Sequence, residues 1–198
     1  NEEEAKAVYL RHNVAYLLTL VFLPIYGVIL QAFDHSFYDP IIYRIAIGIQ
    51  SAVFLLVSNK IKSLMIRSWM MFVHVQLTTG FVFWITGQNL NHISYVGGCF
   101  MTFTACMLCF DEYKQTIYFT FLSILYLYLF NTGLEGAHMP DYALYLFMLL
   151  GFLCNTTLIF DRFRLVSKLK ELNQKISQKS EELFQANLKI DRMINSID

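Results

Sequence analysis

The chain has 198 residues, no formal net charge, 56% hydrophobic and 16% aromatic residues, and a mean hydropathy of +0.46. A chain this apolar is not an ordinary soluble domain, and its balanced charge offers nucleic acid no electrostatic footprint. The composition predicts a membrane protein whose charges collect at segment ends and in a C-terminal tail.

Residues 1–12 are charged and lack the apolar core and cleavage site of a secretory signal. They read as a cytoplasmic N-terminal segment in which Glu2 to Arg11 form a short amphipathic helix. The first apolar run covers 13–33, with a kink expected at Pro24. After the turn from Asp34 to Pro40, a second run covers 41–58, and Pro40 is placed to start it. A basic loop with Lys60, Lys62 and Arg67 leads to a third run over 68–86. The turn 87–91 opens a fourth over 92–110, softened by Gly97-Gly98. A fifth covers 115–130, and a sixth covers 142–160 after a loop with two glycines and two acids. Each run is near the ~20 residues that a bilayer core requires, the fifth being the shortest. Strand-like alternation, repeats and Gly-rich phosphate loops are absent from the sequence. The expected fold class is therefore an all-α membrane protein, a six-helix transmembrane domain over 13–163.

Beyond it, Leu165, Leu169, Leu172, Ile176, Lys179, Leu183, Ala186, Ile190, Met193 and Ile197 follow one another at steps of four and three. That is the seam of a coiled coil, and isoleucine at its a positions favours two parallel strands. The expected partner is a second copy of the chain, held along a rod over 164–198 of roughly 50 Å at ~1.5 Å per residue. Lys179 and Ala186 weaken the d row, as suits a coil that shifts between two arrangements. Neither Gly nor Pro interrupts the path from the sixth run into this helix. Starting at Asn and stopping in mid-heptad, the chain reads as a piece of a longer protein that carries an output domain.

Orientation follows from the cations. Lys60, Lys62, Arg67, Lys114, Arg162, Arg164, Lys168 and Lys170 share one side, while Asp34, Asp39, Glu135 and Asp141 dominate the other, with Arg44 the sole cation near them. The positive-inside rule puts both termini in the cytoplasm, as in a multi-pass protein of a bacterial inner membrane.

Candidate chemistry is sparse. Cys99, Cys106, Cys109 and Cys154 all fall within the runs, and Cys106-x-x-Cys109 has metal or redox spacing without a second pair to complete a site. His74 and Thr78 share a helix face, and an ionisable side chain inside a span faces the bundle interior and a partner. They are candidates to line a ligand pocket or to make a helix–helix hydrogen bond. Trp84 and the phenols Tyr118 and Tyr126 supply rings and polar handles for a cavity suited to a small amphipathic ligand. An interfacial aromatic belt is the plainer use of such rings. Arg44 can orient a polar ligand head or pair with Asp39, and proximity favours the pair. His35, His92 and His138 lie at one membrane face and are a candidate transition-metal or pH-sensitive cluster. A bis-histidine haem would need His12 and His74, whose depths match poorly. No cofactor is expected, with haem or a transition metal as the alternative. The chain has no paired carboxylates or nucleophile with its base in one place, so the fragment itself is not expected to be an enzyme. It also lacks the mid-span charges of a transporter.

Phe22-Leu23-Pro24-Ile25-Tyr26, the segment from Tyr38 to Tyr43-Arg44, the Asp111 turn, and Cys154-Asn155 before Phe163-Arg164 together resemble the six-helix sensor domain of the alpha-hydroxyketone quorum-sensing histidine kinases of Vibrio and Legionella. The six-helix membrane anchors of class III adenylyl cyclases are similar. The resemblance covers the six runs and implies a receptor domain that drives a kinase or cyclase. Unlike the kinases, this chain has no catalytic histidine in its last helix, so the resemblance leaves the output enzyme open.

Overall fold

The computed structural model describes residues 2–110 and 112–194, and among these the side chains of all but Glu2, Glu3, Glu4, Asn155, Leu158, Asp191, Met193 and Ile194. Asp111 of the family-like motifs and Ile197 of the predicted seam thus lie outside the described residues, as do the side chains of Asn155 and Met193. The described chain is all-helical: α1 Glu2–Phe33, α2 Ile41–Lys60, α3 Leu64–Gln88, α4 Ile93–Met107, α5 Tyr113–Asn131 and α6 Asp141–Ile194.

Local chemistry sets the boundaries. Pro40 precedes α2, the Ser63 hydroxyl accepts from the Ile66 amide at the start of α3, and His92 Nδ1 accepts from the Ser94 amide at the start of α4. Glu112 and Gln115 exchange side-chain and backbone hydrogen bonds in a capping box at α5. In the α1–α2 turn the Asp34 carboxylate accepts from the Ser36 amide at 2.8 Å. Hydrogen bonds from the Ser36 side chain and backbone hold that exposed carboxyl below the ordinary carboxylate range.

Among the described residues, four helices or parts of them are long and apolar enough to cross a bilayer: Ala5–Phe33, Ile41–Lys60, Leu64–Gln88 and Asp141–Ile190. The fourth predicted run shortens to the 15 residues of α4, about 22 Å at ~1.5 Å per residue and less than a hydrocarbon core. Across its 19 residues, α5 carries Lys114, Gln115, Asn131 and four tyrosines, which lower its hydropathy. The N-terminal segment, expected as a short helix leading into the first run, is continuous with it in α1, which passes through Pro24 without a break. Proline cannot donate to the Leu20 carbonyl. Gly48 of α2 packs close to that carbonyl, where an added Cβ would lie 3.5 Å from it.

The chain divides into two compact units, Asn1–Asn155 and Thr156–Asp198, with the division falling inside the continuous helix α6. In the first unit α3 is the central and most buried helix, and it runs parallel to α5. At one end of that pair the Gln115 amide donates to the Ser68 hydroxyl at 2.9 Å, and at the other the Asn131 amide donates to the Phe83 carbonyl at 3.1 Å. Between these ties Gly80 faces the Tyr126 ring, and a turn beyond the second a Cβ at Gly87 would lie 2.0 Å from the Phe130 carbonyl oxygen. The α4 and α6 residues Val96, Cys99 and Leu144 join Val82 and Phe83 of α3 and Leu127 of α5 in one core cluster. The α3–α4 turn places Leu90 and Asn91 at φ of 50° and 55°. That conformation is offset by two hydrogen bonds, a buried one from Asn91 to the Asn131 carbonyl at 2.7 Å and one from the His138 amide to the Leu90 carbonyl at 2.8 Å.

The second unit is the remainder of α6. Along it Leu165, Leu169, Leu172, Ile176, Leu183 and Ile190 are exposed, as are Lys179 and Ala186. The Lys175–Glu171 pair at 2.7 Å is a surface contact of little energetic weight.

Candidate functional site

The main cavity of the first unit, about 630 Å³, lies where α1 stands away from α3 and α4. One face of α1 supplies a wall from Arg11 through Leu18 and Phe22 to Ile29. The helix α3 contributes His74, Val75, Thr78, Val82 and Ile85, α4 contributes Gly98, Met101, Thr102, Ala105 and Cys106, and Cys109 follows just past its end. From Arg11 to Ile29 the wall is about 27 Å long at ~1.5 Å per residue. The lining is almost wholly apolar, and its volume is that of a site for a drug-sized molecule.

Half-way along, three polar side chains meet. His74 is buried with both ring nitrogens engaged: Nδ1 lies 3.1 Å from Gln50 Nε2 on α2, and Nε2 lies 3.4 Å from Thr19 Oγ1 on α1. With the Gln50 amide donating to Nδ1, the neutral ring donates from Nε2 to Thr19, whose hydroxyl donates to the Ala15 carbonyl at 3.0 Å. The His74 ring also packs on Tyr16 at 4.9 Å and on Phe54 at 5.6 Å. One turn further along α3, Thr78 is 4% exposed and its Oγ1 has no hydrogen-bond partner among the described residues. A buried hydroxyl left unpaired costs about 1–3 kcal/mol, which a hydrogen-bonding guest would relieve.

At the Asp39 end the cavity meets a buried ion pair. Arg44 Nε and a terminal nitrogen donate to the two Asp39 carboxylate oxygens at 2.7 and 2.6 Å, and its other terminal nitrogen donates to the Leu23 carbonyl at 2.8 Å. Tyr95 donates to the same carboxylate at 2.8 Å, and the Gln31 amide donates to the Asp39 carbonyl. The Tyr26 and Phe81 rings lie 5.7 and 5.9 Å from the guanidinium. Gly27 makes room for this side chain, since a Cβ there would sit 2.2 Å from Arg44 Cδ. Arg44 therefore lines the cavity with its charge already matched.

Three of the six predicted ligand residues, His74, Thr78 and Arg44, line the cavity. The other three lie elsewhere. Trp84 belongs to an aromatic cluster with Tyr38, Tyr43 and Phe81, at ring distances of 6.3, 5.3 and 6.0 Å. Tyr126 covers Gly80 and packs on Phe83 at the α3–α5 seam, and Tyr118 is 52% exposed on the outer face of α5. Aromatic content signalled ring surface without saying which side of each helix faced inward. The signal for the α1 wall was the row Ala15, Leu18, Phe22, Ile25 and Ile29, whose steps of three and four mark one helix face.

His92 and His138 meet edge to face at 5.1 Å, and Phe37 packs on His92 at 4.9 Å. His35 does not complete a ligand set with them: among the described residues no group of three or more His, Cys, Asp and Glu side chains is placed to hold a metal ion. Cys99 and Cys106 are buried, and Cys106 accepts from Thr79 at 3.7 Å in helix packing. Arg67, expected in a basic loop, is fully buried because α3 begins at Leu64 and carries it inside. It donates to the Ser58 carbonyl at 2.8 Å, to the Asn13 side chain, and to the Tyr9 carbonyl at 3.3 Å, and its guanidinium lies 4.0 Å from the Tyr9 ring centre. No known protein family, curated protein or solved structure matches the chain.

Proposed function

We propose that this chain is the membrane receptor domain of a signalling enzyme, with a small amphipathic molecule bound among its helices and a coiled coil as transmitter. The cavity carries this reading, because a long apolar groove holding one unpaired buried hydroxyl, Thr78, beside a satisfied neutral imidazole, His74, suits a guest with an apolar body and a hydrogen-bonding group. In this reading all six helices sit in a bacterial inner membrane with both termini cytoplasmic, α4 and α5 sheltered among longer neighbours. Two copies pair through the α6 seam, and a guest that binds two packings with different affinity shifts the balance between them. The resemblance to quorum-sensing histidine kinases and cyclase anchors supports an output domain of either kind.

A haem or metal reading fits the residues poorly, since both His74 nitrogens are engaged and the outer histidines form no ligand set among the described residues. The test is an absorption spectrum, metal analysis and small-molecule mass spectrometry on one purified sample. A colourless, metal-free protein carrying an amphipathic molecule is expected. A Soret band or stoichiometric metal would replace the amphipath with a cofactor.

A further inference from the structure

The same cavity shows how a guest reaches it. Its Asp39 end is closed: Arg44, Asp39, Tyr95, Leu30 and Ile85 are all buried there. The gap between α1 and α4 is also shut at that end, where the Tyr26 hydroxyl donates to the Ser94 carbonyl at 2.9 Å. Gly98 permits this closure, since a Cβ on it would lie 3.0 Å from the Tyr26 ring. Deeper along the two helices the gap is open. Phe22 on α1 and Met101 on α4 both line the cavity, yet are 62% and 73% exposed on the apolar flank of the unit. A residue that is both lining and exposed stands at a mouth, and this mouth faces sideways, across the helix axes.

We propose that the cavity loads laterally from the bilayer through the Phe22–Met101 mouth, and admits an uncharged single-chain molecule whose polar group hydrogen-bonds Thr78. The inference rests on the proposed membrane receptor reading and adds the route and the charge of the guest. Two observations select that chemistry. The cation at the closed end is matched by Asp39 through two hydrogen bonds, and Arg11, the lining cation at the other end, is engaged as well, so an anionic head gains no free partner from either. Thr78 Oγ1 is a buried hydroxyl of the lining that lacks a bond, and a hydroxyl or carbonyl in the guest supplies one. Molecules of this class partition into the bilayer, where the mouth opens, and a charged or sugar-bearing molecule would have to leave water to use it.

The experiment uses the full chain in phospholipid vesicles with two photoreactive probes: a free C12 alcohol bearing a diazirine, and a phospholipid with a diazirine and a terminal hydroxyl on one acyl chain. Cross-linked peptides are located by mass spectrometry. Both probes are expected to label the interior around Thr78 and Val82 saturably, because a tethered chain can enter only from the side. Thr78→Val is expected to lower interior labelling about 3- to 10-fold, the worth of one hydrogen bond. Met101→Trp, a change at an exposed position, should slow labelling by the tethered probe. Interior labelling by the free alcohol alone would overturn the lateral route and leave the cavity as a binding site. Labelling confined to outward-facing residues, without saturation, would overturn both readings.

Discussion

Arg44 is held at every nitrogen: two bonds to the Asp39 carboxylate and one to a carbonyl of α1, with aromatic rings about the guanidinium. Such a pair adds little net stability over an apolar isostere, because desolvating two charges offsets their attraction. Breaking it is another matter. Asp39→Asn removes the countercharge and leaves a buried cation, and an unfolding titration in detergent is expected to show a loss of about 3–5 kcal/mol. Adding Arg44→Met to that variant should restore at least half of the loss, and failure to do so would mean that the pair does more than match charge. The sequence suggested the pairing through five-residue proximity. It could not reveal that Gly27 yields the space for the guanidinium or that Tyr95, far along the chain, shares the carboxylate, since both depend on how three helices converge.

At the scale of elements, apolar runs and Pro40 marked six helices because both act locally, and Ser63 and the Glu112–Gln115 box cap two of them. Boundaries moved where packing decided them. The helix α3 starts early enough to bury Arg67, and α4 stops short of Leu108. The predicted seam of α6 is an exposed apolar row on a helix continuous from Asp141 to Ile194. In the proposed coil Lys179 occupies a d position and limits its strength. Lys179→Leu in the full-length protein is expected to tighten the coil and hold signalling in one state, read as output with and without stimulus. An unchanged response would count against α6 as the transmitter.

For the whole molecule, the proposed dimer is open to a direct check. Ile176 sits at an a position, so in a parallel two-stranded coil each copy of an Ile176→Cys variant faces its own mate. Under mild oxidation in membranes this variant is expected to give a disulfide-linked dimer. Gln178 falls at a c position, on the outer side of the coil, and Gln178→Cys should cross-link far less. Equal cross-linking at both positions would remove the seam as the dimer contact. The two units of the chain divide this molecule's physics. In the second, a heptad row is legible because the helix repeat alone decides which residues share a face. In the first, composition and periodicity determined an all-helical, membrane-suited chain, and identified His74 and Thr78 as a polar pair on one face, for the same local reason. Which faces meet was decided only by the tertiary structure. Apolar side chains cover every side of such helices, so hydropathy cannot distinguish the wall of a cavity from the flank that faces lipid. Convergence of α1, α3 and α4 left the groove, the approach of α2 to α4 matched Arg44 with Asp39 and Tyr95, and the packing of α3 and α5 turned Trp84, Tyr118 and Tyr126 away from it.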